Sequence, residues 1–273
     1  MSFFSGFFKG IGNSFKSFIF IFDKGLWPYL IYPLLIWIIT FCLTIYGINI
    51  LADVISKWVS EYLSFKNIPD NGHWLSFAKP FLTGWFSYIT ATVVKIVFWF
   101  VTATFSKYIL LIVLSPLFAF LSEKTEEKIT GKKFPFSVTQ LLKDVLRGIL
   151  ISFRNMLFEY LIIILCFAVS LSFPPMIFVT APFLLFVSWY YVGFVMLDYN
   201  SERHKYKFKR SIKFIKSNKG YACGIGCVYW LFMSLPFIVG DVVGIMFGPA
   251  LAVVGATISF LQIKESTQEG IKN

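Results

Sequence analysis

The stretch SPLFAFLSEKTEEKITG, Ser115 to Gly131, passes from apolar and aromatic residues to alternating acids and lysines within a few positions. A change that abrupt reads as a membrane helix meeting water. Upstream, only Lys95 and Lys107 interrupt the apolar sequence from Phe81 to Ser122, so the segment is longer than one bilayer crossing needs. Residues 81–121 are therefore expected to form a long membrane helix. Pro116 lacks a backbone donor and crowds the preceding turn, which predicts a bend at Ser115 and Pro116.

The whole chain of 273 residues follows the same grammar, with 57% hydrophobic and 14% charged residues and a mean hydropathy of +0.73. That composition leaves too little polar surface to coat a soluble domain. The net charge of +11 is not spread as in a nucleic-acid binder; it gathers between apolar runs. Lys124, Lys128, Lys132, Lys133, Lys143, Arg147 and Arg154 fall in one connector. Arg203, Lys205, Lys207, Lys209, Arg210, Lys213, Lys216 and Lys219 fall in another, spanning residues 202–219. The positive-inside rule puts both on the cytoplasmic side of the membrane, with both termini. Leu51 to Pro80 carries Asp53, Lys57, Glu61, Lys66, Asp70 and Lys79, balanced in sign, with Pro69, Asn71 and Gly72 as turn signals. It is expected outside.

In residues 1–24, Phe3, Phe4, Phe7, Phe8, Ile11, Phe15, Phe18 and Phe22 recur at helical spacing, opposite Ser5, Lys9, Asn13 and Lys16. This predicts an amphipathic helix lying in the membrane interface. Residues 27–50 hold no charge and read as the first membrane helix. Met156 to Phe173 and Met176 to Leu197, joined by Pro174 and Pro175, form a hairpin over 156–197. A second hairpin covers 221–263, with Gly240 and Asp241 at its tip. Gly240, Gly244, Gly248, Ala252 and Ala256 make a smooth stripe, which leaves packing within one protomer and contact between subunits of a homo-oligomer both open.

No HExxH, nucleophile elbow or phosphate loop occurs, so neither an enzyme nor a cofactor is expected. Cys42, Cys166, Cys223 and Cys227 lie in apolar runs and read as buried thiols; with His73 and His204 remote from them, no metal site is expected. The aromatic interleaving of the Arg203–Lys219 connector suits membrane lipid rather than nucleic acid. Arg154 and Glu159 read as an interfacial pair. Lys95, Asp241 and Glu123 are candidates for polar groups along a pore or at membrane depth.

Three blocks, LWPYLIYPLLI (Leu26–Ile36), the opening stretch, and LDYNSERHKYKF (Leu197–Phe208) with LPFIVGDVVGIMFGPALAVVGAT (Leu235–Thr257), resemble the CysZ-type sulfate permeases. Those share a domain with the etoposide-induced membrane proteins. The resemblance implies an all-α integral membrane protein with an amphipathic N-terminal helix, two long transmembrane helices and two hairpins of hemi-penetrating helices. It implies sulfate uptake for cysteine synthesis, with a non-transporting membrane scaffold or lipid-surface protein as the alternative. It further implies sulfate binding at a Gly-Leu-Arg motif that opens the first long helix. The matching positions read Gly25, Leu26, Trp27 and Pro28, so the arginine is absent. Backbone N–H groups of Gly25, Leu26 and Trp27, with the Lys24 ammonium, are the expected anion contacts.

Overall fold

Long runs of Leu, Ile, Phe and Val satisfy their backbone only as helices where no water is at hand. The computed structural model, which describes residues 2–62, 74–132 and 138–272, is helical throughout these segments. The elements are α1 (Phe3–Asp23), a 3-10 turn (Trp27–Leu30), α2 (Ile31–Tyr62), α3 (Trp74–Val113), α4 (Ser115–Thr130) and α5 (Val138–Ser172). A second 3-10 turn (Pro174–Met176), α6 (Ile177–Arg203), α7 (Phe208–Ser217), α8 (Lys219–Met233) and α9 (Phe237–Lys272) follow. Among the described residues four apolar windows are long enough to cross a membrane: residues 27–59, 146–172, 174–201 and 240–267. A fifth is a pair, Tyr88–Thr102 and Phe105–Val113, bent by 62°. The chain is an all-α integral membrane protein. With 15 residues, α8 is about 22 Å long and falls short of a hydrocarbon core of about 30 Å.

Two units divide the chain: residues 1–36 with 110–273, and residues 37–109. In the second, Phe41 meets Trp99 edge to face at 6.2 Å, while Tyr46, Tyr88 and Phe100 stay exposed, as apolar surface does when lipid is the solvent. The turn signals Pro69, Asn71 and Gly72, and His73, lie outside the described residues. The expected loop Leu51 to Pro80 is shorter than read, because α2 continues to Tyr62 and α3 begins at Trp74.

In the first unit α8 is the hub, packed against α1, α6 and α9. Its glycines fall on two faces. Gly220 and Gly224 lie against α1, where a Cβ on either would overlap the carbonyls of Phe3 or Phe7, and Gly6 and Gly10 of α1 answer them. Gly226 meets the Trp189 carbonyl of α6, and Gly193 of α6 meets that of Ala222 in return. Both contacts bring backbones closer than any side chain permits. The Gly240–Ala256 stripe is used within the chain: Gly244 and Gly248 lie against Phe232 of α8, while Ala252 and Ala256 are fully buried.

The N-terminal helix is amphipathic, capped at its start by the Ser2 hydroxyl, which accepts from the Ser5 N–H. Of the polar positions Ser5, Lys9, Asn13 and Lys16, only Asn13 is buried, and the inward face is completed by Gly6, Gly10, Ser14 and Ser17. Asn13, Ser14 and Ser17 are at most 3% exposed, and the Asn13 amide donates to Ser259 Oγ and Gln262 Oε1 at 3.0 and 2.9 Å. Phe4, Phe8, Phe15, Phe18 and Phe22 point outward. The first hairpin turns at Pro174 and Pro175 as expected, whereas the tip of the last hairpin and the bend shift. The last hairpin turns at Ser234–Pro236 rather than at Gly240 and Asp241, since Pro236 cannot donate and precedes α9. The α3–α4 break falls at Leu114, which places Pro116 in the first turn of α4, where its missing donor costs nothing.

The glycine contacts predict a graded series in thermal melting of the detergent-solubilised protein. Gly226→Ala or Gly193→Ala must part α6 from α8 and is expected to lose about 3 kcal/mol or more. Gly12→Ala, with nothing within 4 Å of the new methyl, should be neutral or gain up to about 1 kcal/mol of helix propensity. Equal melting of the two classes would remove α8's backbone contacts as the organising feature.

Candidate functional site

Where α4, α6 and α9 converge, the chain buries side chains that ordinarily seek water. Ser122, Asn200 and Thr257 are fully buried, and Glu126 is 3% exposed. Each comes from a different part of the sequence, and helical spacing aligns them: Ser122 with Glu126 on α4, Asn200 with Arg203 and then His204 after α6. Arg203 is the centre. Its Nη1 lies 3.0 Å from Glu126 Oε2 and donates to the Ser122 carbonyl at 2.7 Å, while Nη2 donates to Ser122 Oγ. Ser122 Oγ in turn contacts Asn200 Oδ1 and Thr257 Oγ1 at 3.0 and 3.2 Å.

His204 extends the cluster outward. Its Nε2 lies 3.2 Å from Glu126 Oε1 and its Nδ1 3.1 Å from Lys264 Nζ, and its ring stacks on Phe260 at 4.9 Å. The Lys264 ammonium has only protons to give, so His204 accepts at Nδ1 and Nε2 is the nitrogen that faces Glu126. Burial pushes the Glu126 carboxyl up, but the His204 hydrogen bond and the charges of Arg203 and Lys264 outweigh it and hold it below its ordinary value.

A second ion pair lies close by in sequence. Arg147 of α5 grips Asp198 of α6 bidentately, Nη2 to Oδ1 at 3.0 Å and Nε to Oδ2 at 3.1 Å, and its Nη1 donates to the Tyr206 carbonyl at 2.7 Å. Ser211 Oγ of α7 donates to the same carboxylate. Every partner is supplied from within, so this pair ties three elements together.

The expected anion contacts stand elsewhere in the same unit. Lys24 caps the end of α1, exposed, and Gly25 takes φ +70°, the left-handed position that closes a helix. The Gly25 N–H donates to Phe22 O at 3.3 Å and the Leu26 N–H to Ile21 O at 2.8 Å. Two of the three expected donors are thus turned back onto α1, and Trp27, 53% exposed, opens the 3-10 turn. Beside them Tyr29 packs on Phe120 of α4 at 5.7 Å, and Lys124 Nζ lies 5.5 Å over the same ring. Glu127 raises the Lys124 pKa above the ordinary lysine value through a 2.7 Å ion pair.

The remaining candidates do not join the buried cluster. Asp241 is exposed in the second turn of α9, Glu123 is half-buried on α4, and Lys95 is half-buried on α3 in the other unit. Arg154 and Glu159, read as an interfacial pair, sit on α5, where the guanidinium donates to Asn155 Oδ1 at 3.0 Å and lies over Phe158 and Phe194. Among the described residues no group of His, Cys, Asp and Glu could hold a metal ion.

Long apolar helices around a buried ionic cluster define a multi-pass integral membrane protein. A family described as Sulfate transporter CysZ/Etoposide-induced protein 2.4 matches residues 14–239, and the chain belongs to that family. A protein named Sulfate transporter CysZ from Pseudomonas syringae pv. tomato is 27% identical over 245 residues, 89% of this chain and 87% of its own. A protein of the same name from Pseudomonas aeruginosa is 28% identical over 198 residues, 70% of this chain and 76% of its own. One from Pseudomonas paraeruginosa is 26% identical over 197 residues, with the same shares.

Because Glu126 is held ionised, its stabilisation is complete above the ordinary carboxylate range and is lost as pH falls through its depressed pKa. Melting temperature should therefore drop on acidification below that range. Glu126→Gln should shallow the drop and, by leaving Arg203 unpaired, cost about 3 kcal/mol at neutral pH. An acid limb unchanged by Glu126→Gln would place the titrating groups elsewhere.

Proposed function

We propose that the protein is a permease for a small inorganic oxyanion, sulfate, taken up for sulfur assimilation. One observation carries this reading. Three of the stretches that bear the family resemblance, Ser115–Gly131, Leu197–Phe208 and Leu235–Thr257, meet at the Glu126–Arg203 cluster, in a unit with many apolar side chains on its outside. Ionic groups buried among membrane helices are costly and mark polar traffic by default. The relatives' name, sulfate transporter, supplies the ion.

Within this reading the anion is recognised where Lys24 and the Trp27 N–H flank the turn between α1 and α2, and Leu26 and Gly25 shape that turn rather than donate. Glu123 and Asp241 are polar stations along the path, and Lys95 is a polar group at membrane depth in the unit of residues 37–109. A scaffold without transport is the second reading, favoured by one observation: tryptophan replaces the arginine of the family motif, and the neighbouring N–H groups are spent. Sulfate uptake into proteoliposomes separates the two. Lys24→Ala should weaken sulfate binding in isothermal titration and Trp27→Arg should tighten it. Equal affinity in the parent and both variants, with no uptake, would rule for the scaffold.

The same reading places the protein in the inner membrane with both termini and both basic connectors in the cytoplasm. Lys209→Cys on a cysteine-free background should resist a membrane-impermeant thiol reagent in intact cells and react after permeabilisation. Labelling from outside would invert the topology.

A further inference from the structure

The basic connector forms a cavity that transport of sulfate does not require. It has a volume of about 660 Å³ and lies where the end of α6, α7 and the end of α9 meet. Arg210, Lys213 and Lys264 line it, and no carboxylate is among its described lining residues. Its inner side is aromatic: Tyr206 and Phe214 meet edge to face at 5.6 Å, and Phe214 packs on Phe260 at 5.1 Å.

The cations are arranged rather than scattered. Arg210 stacks its guanidinium on the Tyr206 ring at 4.6 Å, which occupies its face and leaves its N–H edges for an acceptor. Lys264 spends one donor toward His204 Nδ1 at 3.1 Å and keeps others. Glu126, behind His204, is already engaged by Arg203 and so does not neutralise the cavity. The apolar windows of α6 and α9 end at Ser201 and Thr267, the second of which lines the cavity. The end of an apolar membrane window is the level at which headgroups are expected, and the volume far exceeds a bare tetrahedral ion.

We propose that this cavity binds a phosphate-type oxyanion borne on a larger body, as in the headgroup of an anionic phospholipid, at a site separate from the Lys24–Trp27 turn. The test compares two double variants that remove equal charge from the same helix. Arg210→Gln/Lys213→Gln strips the cavity, whereas Lys209→Gln/Lys216→Gln strips exposed positions of α7 outside it. Binding of phosphatidylglycerol is read by native mass spectrometry of the full chain. Inorganic phosphate and sulfate are titrated separately into protein held in phosphatidylcholine nanodiscs.

The cavity variant should bind phosphatidylglycerol about tenfold more weakly or worse, because charge-assisted hydrogen bonds are lost, and the control should stay within about twofold of the parent. A selective loss confined to inorganic phosphate or sulfate would keep the site and make its occupant the free ion. Equal behaviour of the two variants toward every probe, whether unchanged or equally weakened, would reduce the cavity to unspecific surface charge and overturn the proposal. Melting of both variants at the parent's temperature in phosphatidylcholine confirms that the comparison is between folded proteins, and Arg210→Lys/Lys213→Arg restores binding if an unfolded variant clouds it.

Discussion

Helices in lipid gain little by hiding apolar side chains from one another, so what holds them is how closely their backbones fit. The 15-residue helix α8 meets that condition on two faces at once, with Gly220 and Gly224 against α1 and Gly226 against α6. Its position fixes the rest of the unit. Because α1 lies on α8, Asn13 and Ser17 reach Ser259 and the Leu251 carbonyl of α9 at 3.0 and 3.1 Å. Because α6 lies on the opposite face, its end is held where Asn200 and Arg203 can meet Ser122 and Glu126. The ionic cluster is thus a consequence of backbone contacts made by glycines that carry no chemistry.

That dependence explains what the sequence could and could not disclose. Helix class, the long apolar windows and the family were legible, because they rest on local composition and on motifs read in order. Which face of a helix turns inward was not. Phenylalanines opposite Ser5, Lys9, Asn13 and Lys16 in residues 1–24 define a period and an interfacial helix, but not which narrow strip packs on the protein. The strip that packs is the small one, Gly6, Gly10, Asn13, Ser14 and Ser17, while the aromatic residues and both lysines look out. Its signal is Gly6 and Gly10, four apart, paired with Gly220 and Gly224 at the same spacing.

The site was less legible than the fold for a related reason. Arg147, Arg203 and His204 stand among the cations that set topology, and charge counting treats them as interchangeable with their neighbours. Burial separates them: Arg203 and Arg147 have side chains 11% and 14% exposed, while Lys209, Arg210 and Lys213 face outward. The positions of Asn200, Arg203 and His204, three and four residues apart, were the available hint, since they share one helix face with no apolar residue between them. Gly25, which the family resemblance implies as an anion contact, has a φ of +70° that serves the preceding helix, and its N–H closes that helix's last turn, a backbone state that motif matching does not read.

The two ion pairs of the unit divide the work of a charged interior between them. Around Asp198 the partners come from within: one guanidinium in bidentate contact and one hydroxyl meet the carboxylate, and the same guanidinium reaches the Tyr206 carbonyl, so the pair braces α5, α6 and α7. Around Glu126 the contacts run outward instead. The carboxylate meets Arg203 on the inside and His204 on the other oxygen, and His204 passes the chain of contacts on to Lys264, which is only half-buried. The first pair is therefore a tie enclosed among helices, whereas the second links the buried end of α6 to the surface along one line of polar groups.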